Sequence, residues 1–320
     1  MRAIQIQRTG GPEVLTPAEV PTPQPGPGQL LVRLQSIGIN FIDIYKRSGL
    51  YALPLPAILG EEGAGVVEAV GPQVRGYAPG DRVAYCSATG SYAEFQVVPA
   101  ERVVRVPEAV SSDQAAALML QGMTAHYLVR STFPLAAGQT CVVHAAAGGV
   151  GLLLTQLARA LGARVIATAS TAEKRQLARQ AGASLAVPYE ELVAAVKDQT
   201  AGKGAEVVYD GVGVATWEAS LSSLAPRGTL ALYGQSSGPV AKFDPQELNR
   251  RGGLFLTRPS LAHYLMQPGE LEWRASELFK MVQSGDLSLR IGGTWPLDQA
   301  AQAQAALAER RTTGKLLLHP

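Results

Sequence analysis

The residues best placed to do chemistry lie in a cluster of small side chains, His144-Ala145-Ala146-Ala147-Gly148-Gly149-Val150-Gly151. It stands between the apolar run Val142-Val143 and a helix-like run to Leu161. Strand, tight turn and helix in that order open a dinucleotide-binding βαβ unit. Gly148 lets the backbone approach a pyrophosphate, and Gly151 lets the helix pack close to the strand. The amides of Gly149, Val150 and Gly151, at the helix N-terminus, then face the phosphates. Ala146 replaces the first glycine of the usual fingerprint, so context must carry the reading.

That context is the next strand, Ala163-Arg164-Val165-Ile166-Ala167-Thr168-Ala169-Ser170. NAD enzymes place an Asp or Glu at its end, roughly 20 residues past the glycines, to bind the ribose 2′-hydroxyl. Here the position falls at Ser170 and carries no acid. Ser170 and Thr171 offer hydroxyls, and Lys174 and Arg175 follow in the first helical turn. Two cations and two hydroxyls suit a 2′-phosphate, which a carboxylate would repel. The cations also suit an ordinary solvated helix face, but the residue types together favour NADPH.

A chain of 320 residues is longer than one core usually supports, so two domains are expected. Hydrophobic content of 47%, charged content of 17% and 34 glycines fit a turn-rich α/β protein. A net charge of +2 gives no reason to invoke nucleic acid or an anionic membrane. No apolar run approaches the roughly 20 residues of a membrane span, and the N-terminus lacks a signal-peptide pattern. Cys86 and Cys141 are too few for a disulfide framework, so a cytoplasmic location is expected. Cys141, on the strand before the glycine turn, reads as a core residue.

Residues 1 to about 122 read as β-rich, with short extended runs at 3–7, 29–36, 64–70, 82–85 and 93–98. The Pro-rich stretch 21–28 reads as a tight connection between strands, and Ser111 as the N-cap of a helix. From Thr140 to about Pro259 strand and helix alternate. After the two strands above, 185–187, 205–210, 228–233 and 254–257 add four more, with helices at 191–200 and 216–224. Six strands with crossover helices make a doubly wound parallel sheet. Helical patterns at 272–284 and 297–309 and a last strand at 314–318 follow.

Several segments together carry a resemblance that covers essentially the whole chain. They are Gly10-Gly11-Pro12-Glu13-Val14-Leu15, Gly38-Ile39-Asn40-Phe41-Ile42-Asp43, Arg47-Ser48-Gly49-Leu50-Tyr51, Gly60-Glu61-Glu62-Gly63-Ala64-Gly65 and His144 to Gly151. Val208-Tyr209-Asp210, Thr257-Arg258-Pro259-Ser260 and Gly314-Lys315 also fit. The chain resembles the zinc-free quinone oxidoreductases of the medium-chain dehydrogenase/reductase superfamily, the group that includes ζ-crystallin. The resemblance implies an α/β protein with a GroES-like β-rich domain built from both chain ends, residues 1–122 and 262–320. A Rossmann NADPH-binding domain with its doubly wound parallel sheet, residues 123–261, is inserted between. It also implies a homodimer that joins Rossmann edge strands through Leu254-Phe255-Leu256.

In the superfamily's zinc alcohol dehydrogenases, cysteine, histidine and cysteine stand at the positions of Asn40, Glu61 and Leu120. Leu120 has no donor atom, Asn40 is a poor zinc ligand, and only Glu61 is left. The four-cysteine structural lobe is missing, and His126, His144, His263 and His319 lack ligand spacing. Chemistry without a metal is expected. Zinc stabilises an alkoxide, a strong base, whereas quinone reduction yields a hydroquinone anion that hydrogen bonds or solvent can manage.

The resemblance places Asn40, Tyr45, Tyr51 and Tyr127 at the active cleft. Asn40 would fix the nicotinamide or the cofactor ribose, and the tyrosines would stack on the acceptor or donate to its oxygen. The competing reading has each tyrosine packed between domains with its hydroxyl on backbone. Asp43 fits an orienting role or a turn, and Glu62 a structural brace rather than a base. Tyr189 follows the third strand near the adenosine phosphate. Gly213 and the Tyr233-Gly234-Gln235-Ser236 turn stand at later strand ends, where a cofactor crosses the sheet. Arg258 and Pro259 lead out of the sixth strand. Arg310 resembles a cation close to the cofactor phosphates, with Lys315 a weaker candidate; a solvated surface charge is the alternative for each.

The leading expectation is an enzyme, a zinc-independent NADPH:quinone oxidoreductase acting on a quinone or related electron-poor acceptor. An enone or enoyl reductase of the same superfamily is the alternative. A non-catalytic NADPH-binding protein comes third, and no basic stripe supports nucleic acid.

Overall fold

The computed structural model describes residues 1–320. The chain forms two compact units, residues 124–266 and residues 1–123 with 267–320.

The first unit holds a six-stranded sheet, its strands labelled here in chain order: β1 (Thr140–Val143), β2 (Arg164–Thr168), β3 (Leu185–Val187), β4 (Ala205–Asp210), β5 (Leu224–Leu232) and β6 (Phe255–Thr257). The spatial order is β3-β2-β1-β4-β5-β6, and every pairing is parallel. Every residue of β1 is buried, as expected of a strand covered on both faces. Val142, Ile166, Val208 and Leu230 from neighbouring strands meet Leu192 and Val196 in one core. Helices Gly149–Ala160, Ala172–Gln180, Leu192–Gln199, Trp217–Ser222 and Gln246–Arg250 supply the crossovers. Strand β5 begins at Leu224, earlier than expected. Its register against β4 breaks between Ala205 and Val207, where Arg227 takes a φ of 62° beside Pro226. The turn Leu261–Leu265 belongs to this unit, past the expected limit at 261, because Tyr264 stacks on Tyr127 with centroids 4.3 Å apart.

In the second unit, a seven-stranded sheet runs in the order Ile291–Pro296, Lys315–His319, Gln29–Ile39, Glu62–Val70, Arg82–Cys86, Val103–Arg105, with Phe95–Pro99 also paired to Gln29–Ile39. The C-terminal strand lies antiparallel to Gln29–Ile39 with Leu316 opposite Ile39, so the last residues of the chain meet its first fifty. Ile37, Leu59, Tyr85, Leu316 and Leu318 share the core. Ser111 caps the helix Ser112–Met119 as expected, its hydroxyl accepting from the Gln114 amide at 3.1 Å. A seven-residue helix, Phe41–Arg47, is not legible in the sequence as an amphipathic stripe. It starts on a local polar contact: Asn40 is extended, and its backbone N–H donates to the Asp43 carboxylate at 2.8 Å while the Asp43 N–H donates to the Asn40 backbone carbonyl at 3.1 Å. No helix in the structure is long and apolar enough to cross a membrane.

Candidate functional site

The glycine turn delivers an open helix end. Helix Gly149–Ala160 begins after Gly148, which has no side chain to cap it, so the first-turn amides have no helical acceptor. The one left-handed residue of the turn is Ala145, at φ 49°, so the sharp bend does not fall on a glycine. Gly151 has the strict requirement. A Cβ there would stand 2.5 Å from the Ala145 carbonyl oxygen and 2.7 Å from Ala146 Cα. These amides and this cradle fit a pyrophosphate.

At the end of β2, Ser170 and Thr171 are exposed and Lys174 is half-buried. Thr171 also caps its own helix, accepting from the Lys174 amide at 3.2 Å, which leaves its hydroxyl proton for a partner. Arg175 turns back to the loop, donating to the Ala169 and Ser170 carbonyls at 3.2 Å. Hydroxyls and cation are therefore held on one short turn, and this set fits a 2′-phosphate.

A buried brace, not legible in the sequence, ties three strand ends together beneath that turn. The His144 ring contacts Thr168 Oγ1 at 2.8 Å through Nδ1 and Ser220 Oγ at 3.0 Å through Nε2. Ser220 donates to Asp210 at 2.7 Å, so it accepts from Nε2–H, and Thr168 donates to Nδ1. Burial lowers the His144 pKa, against the pull of Asp210, so the ring is neutral. Tyr189 lies parallel to it, centroids 5.9 Å apart. Asp210 also accepts from the Val212 and Gly213 amides at 2.7 and 3.0 Å, which fixes the loop after β4. Gly213 has a φ of 95°, and a Cβ there would meet the Gly238 carbonyl oxygen at 2.5 Å. The Tyr233-Gly234-Gln235-Ser236 turn is bonded to the same loop, Tyr233 and Gly234 to the Asp210 carbonyl and Ser236 to that of Gly211.

In the other unit, Asn40 is the centre of a buried polar cluster. Its Nδ2 donates to Glu62 at 2.6 Å, while its Oδ1 accepts from Lys315 at 3.0 Å and Gln121 at 3.1 Å. Glu62 also pairs with Lys315 and accepts from the Leu120 amide at 2.5 Å. Lys315, 2% exposed, is therefore a core partner of Glu62, and its reading as a phosphate-side cation is corrected. Glu61 is held by Lys46 at 2.5 Å and Thr89 at 2.7 Å, so a lysine nitrogen already stands against the one metal-type donor among Asn40, Glu61 and Leu120. Asp43 accepts from Tyr92 at 3.1 Å, and burial with the nearby Glu61 carboxylate pushes its pKa up to about 7. Tyr45 and Tyr51 are half-buried and meet edge to face at 5.4 Å.

The remaining candidates divide. Tyr127 is buried at 1% exposure against Tyr264, so its ring is a packing element and the half-buried Tyr264 is the more accessible of the two. Arg258 is exposed with Nη1 3.4 Å from the carbonyl of the buried Pro259. Arg310 is exposed and left-handed at φ 57°, ending the helix Ala300–Ala308.

A parallel sheet of this order with an open glycine turn, joined in one chain to a β-rich unit built from both ends, defines the medium-chain dehydrogenase/reductase class. The sequence matches the alcohol dehydrogenase GroES-like domain over residues 26–108 and the zinc-binding dehydrogenase family over residues 149–279. A quinone oxidoreductase of Pseudomonas aeruginosa is 46% identical over 323 residues, covering 100% of this chain and 99% of that protein. The crystal structure of Escherichia coli quinone oxidoreductase complexed with NADPH superimposes with a TM-score of 0.98 at 42% identity, covering 100% of both chains. A 2-haloacrylate reductase of a Burkholderia species is 40% identical, covering 99% of this chain and 98% of that protein. The chain belongs to the quinone oxidoreductase family of the medium-chain dehydrogenase/reductase superfamily.

Proposed function

We propose that the protein reduces quinones, or related electron-poor acceptors, with electrons from NADPH and without a metal. The observation that carries this is the pairing of the open helix end at Gly148–Gly151 with a hydroxyl- and lysine-bearing turn at Ser170–Lys174, whose strand-end position, Ser170, carries no acid. The relatives' names and the NADPH complex of the E. coli protein support it. When bound, NADPH supplies two electrons and a proton as hydride.

The chain's own residues do the rest. Gly148, Gly149, Val150 and Gly151 take the pyrophosphate on backbone, and Ser170, Thr171, Lys174 and Tyr189 take the adenosine end, Tyr189 kept flat by the neutral His144. Gly213, the turn Tyr233–Ser236, Arg258 and Pro259 line the cofactor's path past the later strand ends, and Arg310 adds positive charge for the phosphates. Asn40, Tyr45 and Tyr51 position the acceptor, Tyr45 also serving the cofactor side, and Tyr127 supports Tyr264 by stacking on it. The anion formed from a quinone is a weak base, so N–H and O–H donors suffice where an alkoxide would call for a metal. Glu61 is engaged by Lys46, and Leu120 offers no lone pair, which fits that division of labour.

A homodimer through the exposed edge of β6, where Phe255 is 61% exposed, and a cytoplasmic location suited to two free buried thiols belong to the same reading. Enone reduction is the second reading, favoured by the 2-haloacrylate reductase relative, whose named substrate is an electron-poor alkene. Stopped-flow NADPH oxidation with a panel of quinones, enals and enoyl thioesters tests both. Fast turnover with quinones is expected; turnover with alkenes alone would replace the first reading by the second.

A further inference from the structure

We propose that Glu62 and Lys315 are positioning residues for the reaction: they lock the Asn40 amide so that a single N–H is left, aimed at the carbonyl oxygen of the acceptor. This rests on the quinone-reductase reading and adds to it the part of the chain that manages the charge.

The lock follows from what each neighbour can do. Lys315 only donates and Glu62, as a carboxylate, only accepts. Asn40 Oδ1 faces Lys315 Nζ at 3.0 Å, and Asn40 Nδ2 faces Glu62 Oε1 at 2.6 Å. Turning the amide over would set its NH2 against an ammonium and its oxygen against a carboxylate, so one orientation is allowed. Gln121 fills the second lone pair of Oδ1 at 3.1 Å. Within the cluster Asn40 Oδ1 therefore has both lone pairs engaged, and its Nδ2 has one N–H left after the bond to Glu62.

The surroundings are built for this. The Glu62 carboxylate is held on its other side by the Leu120 amide at 2.5 Å. A Cβ on Gly38 would run into that carboxylate, so the glycine keeps its seat open. Leu316 opposite Ile39 in the sheet sets Lys315 beside Asn40. Both charges are shut away, with side chains 3% and 0% exposed, where an apolar pair would hold the strands as well or better. What the charges add is direction at Asn40. Reduction of the quinone takes a hydride, which carries two electrons and one proton, and a second proton from solvent. Between those events the acceptor oxygen carries the negative charge that the Asn40 N–H stabilises.

The test compares Asn40→Ala, the neutral pair Glu62→Gln/Lys315→Met, and all three changes together, using 1,4-benzoquinone as acceptor. Thermal melting, NADPH affinity by fluorescence and the stopped-flow rate of NADPH oxidation are measured. The pair variant should melt near the parent and bind NADPH within twofold, yet reduce the quinone about tenfold more slowly. On the Asn40→Ala background the pair should cost no further rate, because the lock has nothing left to hold. An unchanged rate in the pair variant, a loss that adds in full to that of Asn40→Ala, or a loss expressed in NADPH affinity would each overturn the proposal. So would an Asn40→Ala variant with unimpaired rate. Gly38→Ala, which displaces the same carboxylate with both charges in place, gives the same cycle should the pair variant not fold. A wild-type protein inert toward every quinone removes the underlying reading instead.

Discussion

The two polar regions of this molecule are built on opposite plans. At the glycine turn, backbone amides stand without side-chain caps, and His144 and Asp210 brace the loops from below. Around Asn40, side chains bond one another until nearly every donor and acceptor is used, and the pairs come from opposite ends of the chain. The first plan leaves donor capacity open, which in the proposed function takes the cofactor's phosphates. The second fixes one orientation of the Asn40 side chain, which in the proposal above serves the acceptor oxygen. Open capacity belongs with affinity and closed capacity with orientation.

The largest effect that could break this comparison falls on the closed region. Lys315→Met alone leaves the Glu62 carboxylate buried without its partner, and stability should drop by about 3–5 kcal/mol. The neutral pair Glu62→Gln/Lys315→Met should recover most of it. Urea unfolding of the three proteins decides the matter, and equal losses in the single and double variants would mean that the charges are not coupled.

Next comes the open region. Lys174→Ala should weaken NADPH by about 1.5–3 kcal/mol and leave NADH nearly untouched, because only NADPH carries a 2′-phosphate. Parallel titrations with the two cofactors give the ratio directly. An equal loss for both would return Lys174 to the role of a surface charge.

The contrast also explains what the sequence shows and what it hides. The open site is local: glycines, a helix start and the residues after the next strand lie within thirty positions. Its six strands, their parallel pairing and the candidate turn are all readable from apolar runs and spacing. The left-handed residue is not, because it is Ala145 and nothing about an alanine announces a positive φ. The closed site is non-local. Glu62 and Lys315 are 253 positions apart, and only the antiparallel pairing of the last strand with Gln29–Ile39 brings them together. With no view of that pairing, Lys315 reads as a solvent-side cation. The short helix Phe41–Arg47 is hidden for a related reason: a capping contact starts it, and two turns are too few to set a stripe. Tyr127 reads as a cleft residue because ring burial by Tyr264 is a tertiary fact.

A smaller effect tests whether the open site depends on close backbone approach. Gly151→Ala puts a methyl 2.5 Å from the Ala145 carbonyl oxygen, and that oxygen belongs to backbone that cannot swing aside. A stability loss of about 1–3 kcal/mol is expected, with weaker NADPH binding as the turn shifts. Melting and titration measure both, and a variant unchanged in each would show that the turn yields without cost.

The smallest stability effect is the sharpest probe of the difference between the regions. Helices Ser112–Met119 and Ala172–Gln180 have hydroxyl caps, from Ser111 and Thr171, whereas Gly149–Ala160 has none. Gly148 sits at φ −76° and ψ 172°, extended backbone that serine adopts freely, and its Cβ would meet only the Ala145 carbonyl oxygen at 3.2 Å. Gly148→Ser should therefore stabilise the free protein by a few tenths of a kcal/mol, since its hydroxyl caps an amide that glycine leaves open. The same hydroxyl competes with the pyrophosphate for that amide. NADPH and NADH should both weaken by about tenfold, the scale of a single charge-assisted hydrogen bond. The opposite signs are the point: a cap that helps the free helix must harm a site whose function is to stay uncapped. Differential scanning calorimetry of the cofactor-free protein, set beside titrations of both cofactors, reads the two effects separately. Tighter binding in the serine variant would mean that the amides of this turn are not where the phosphates sit.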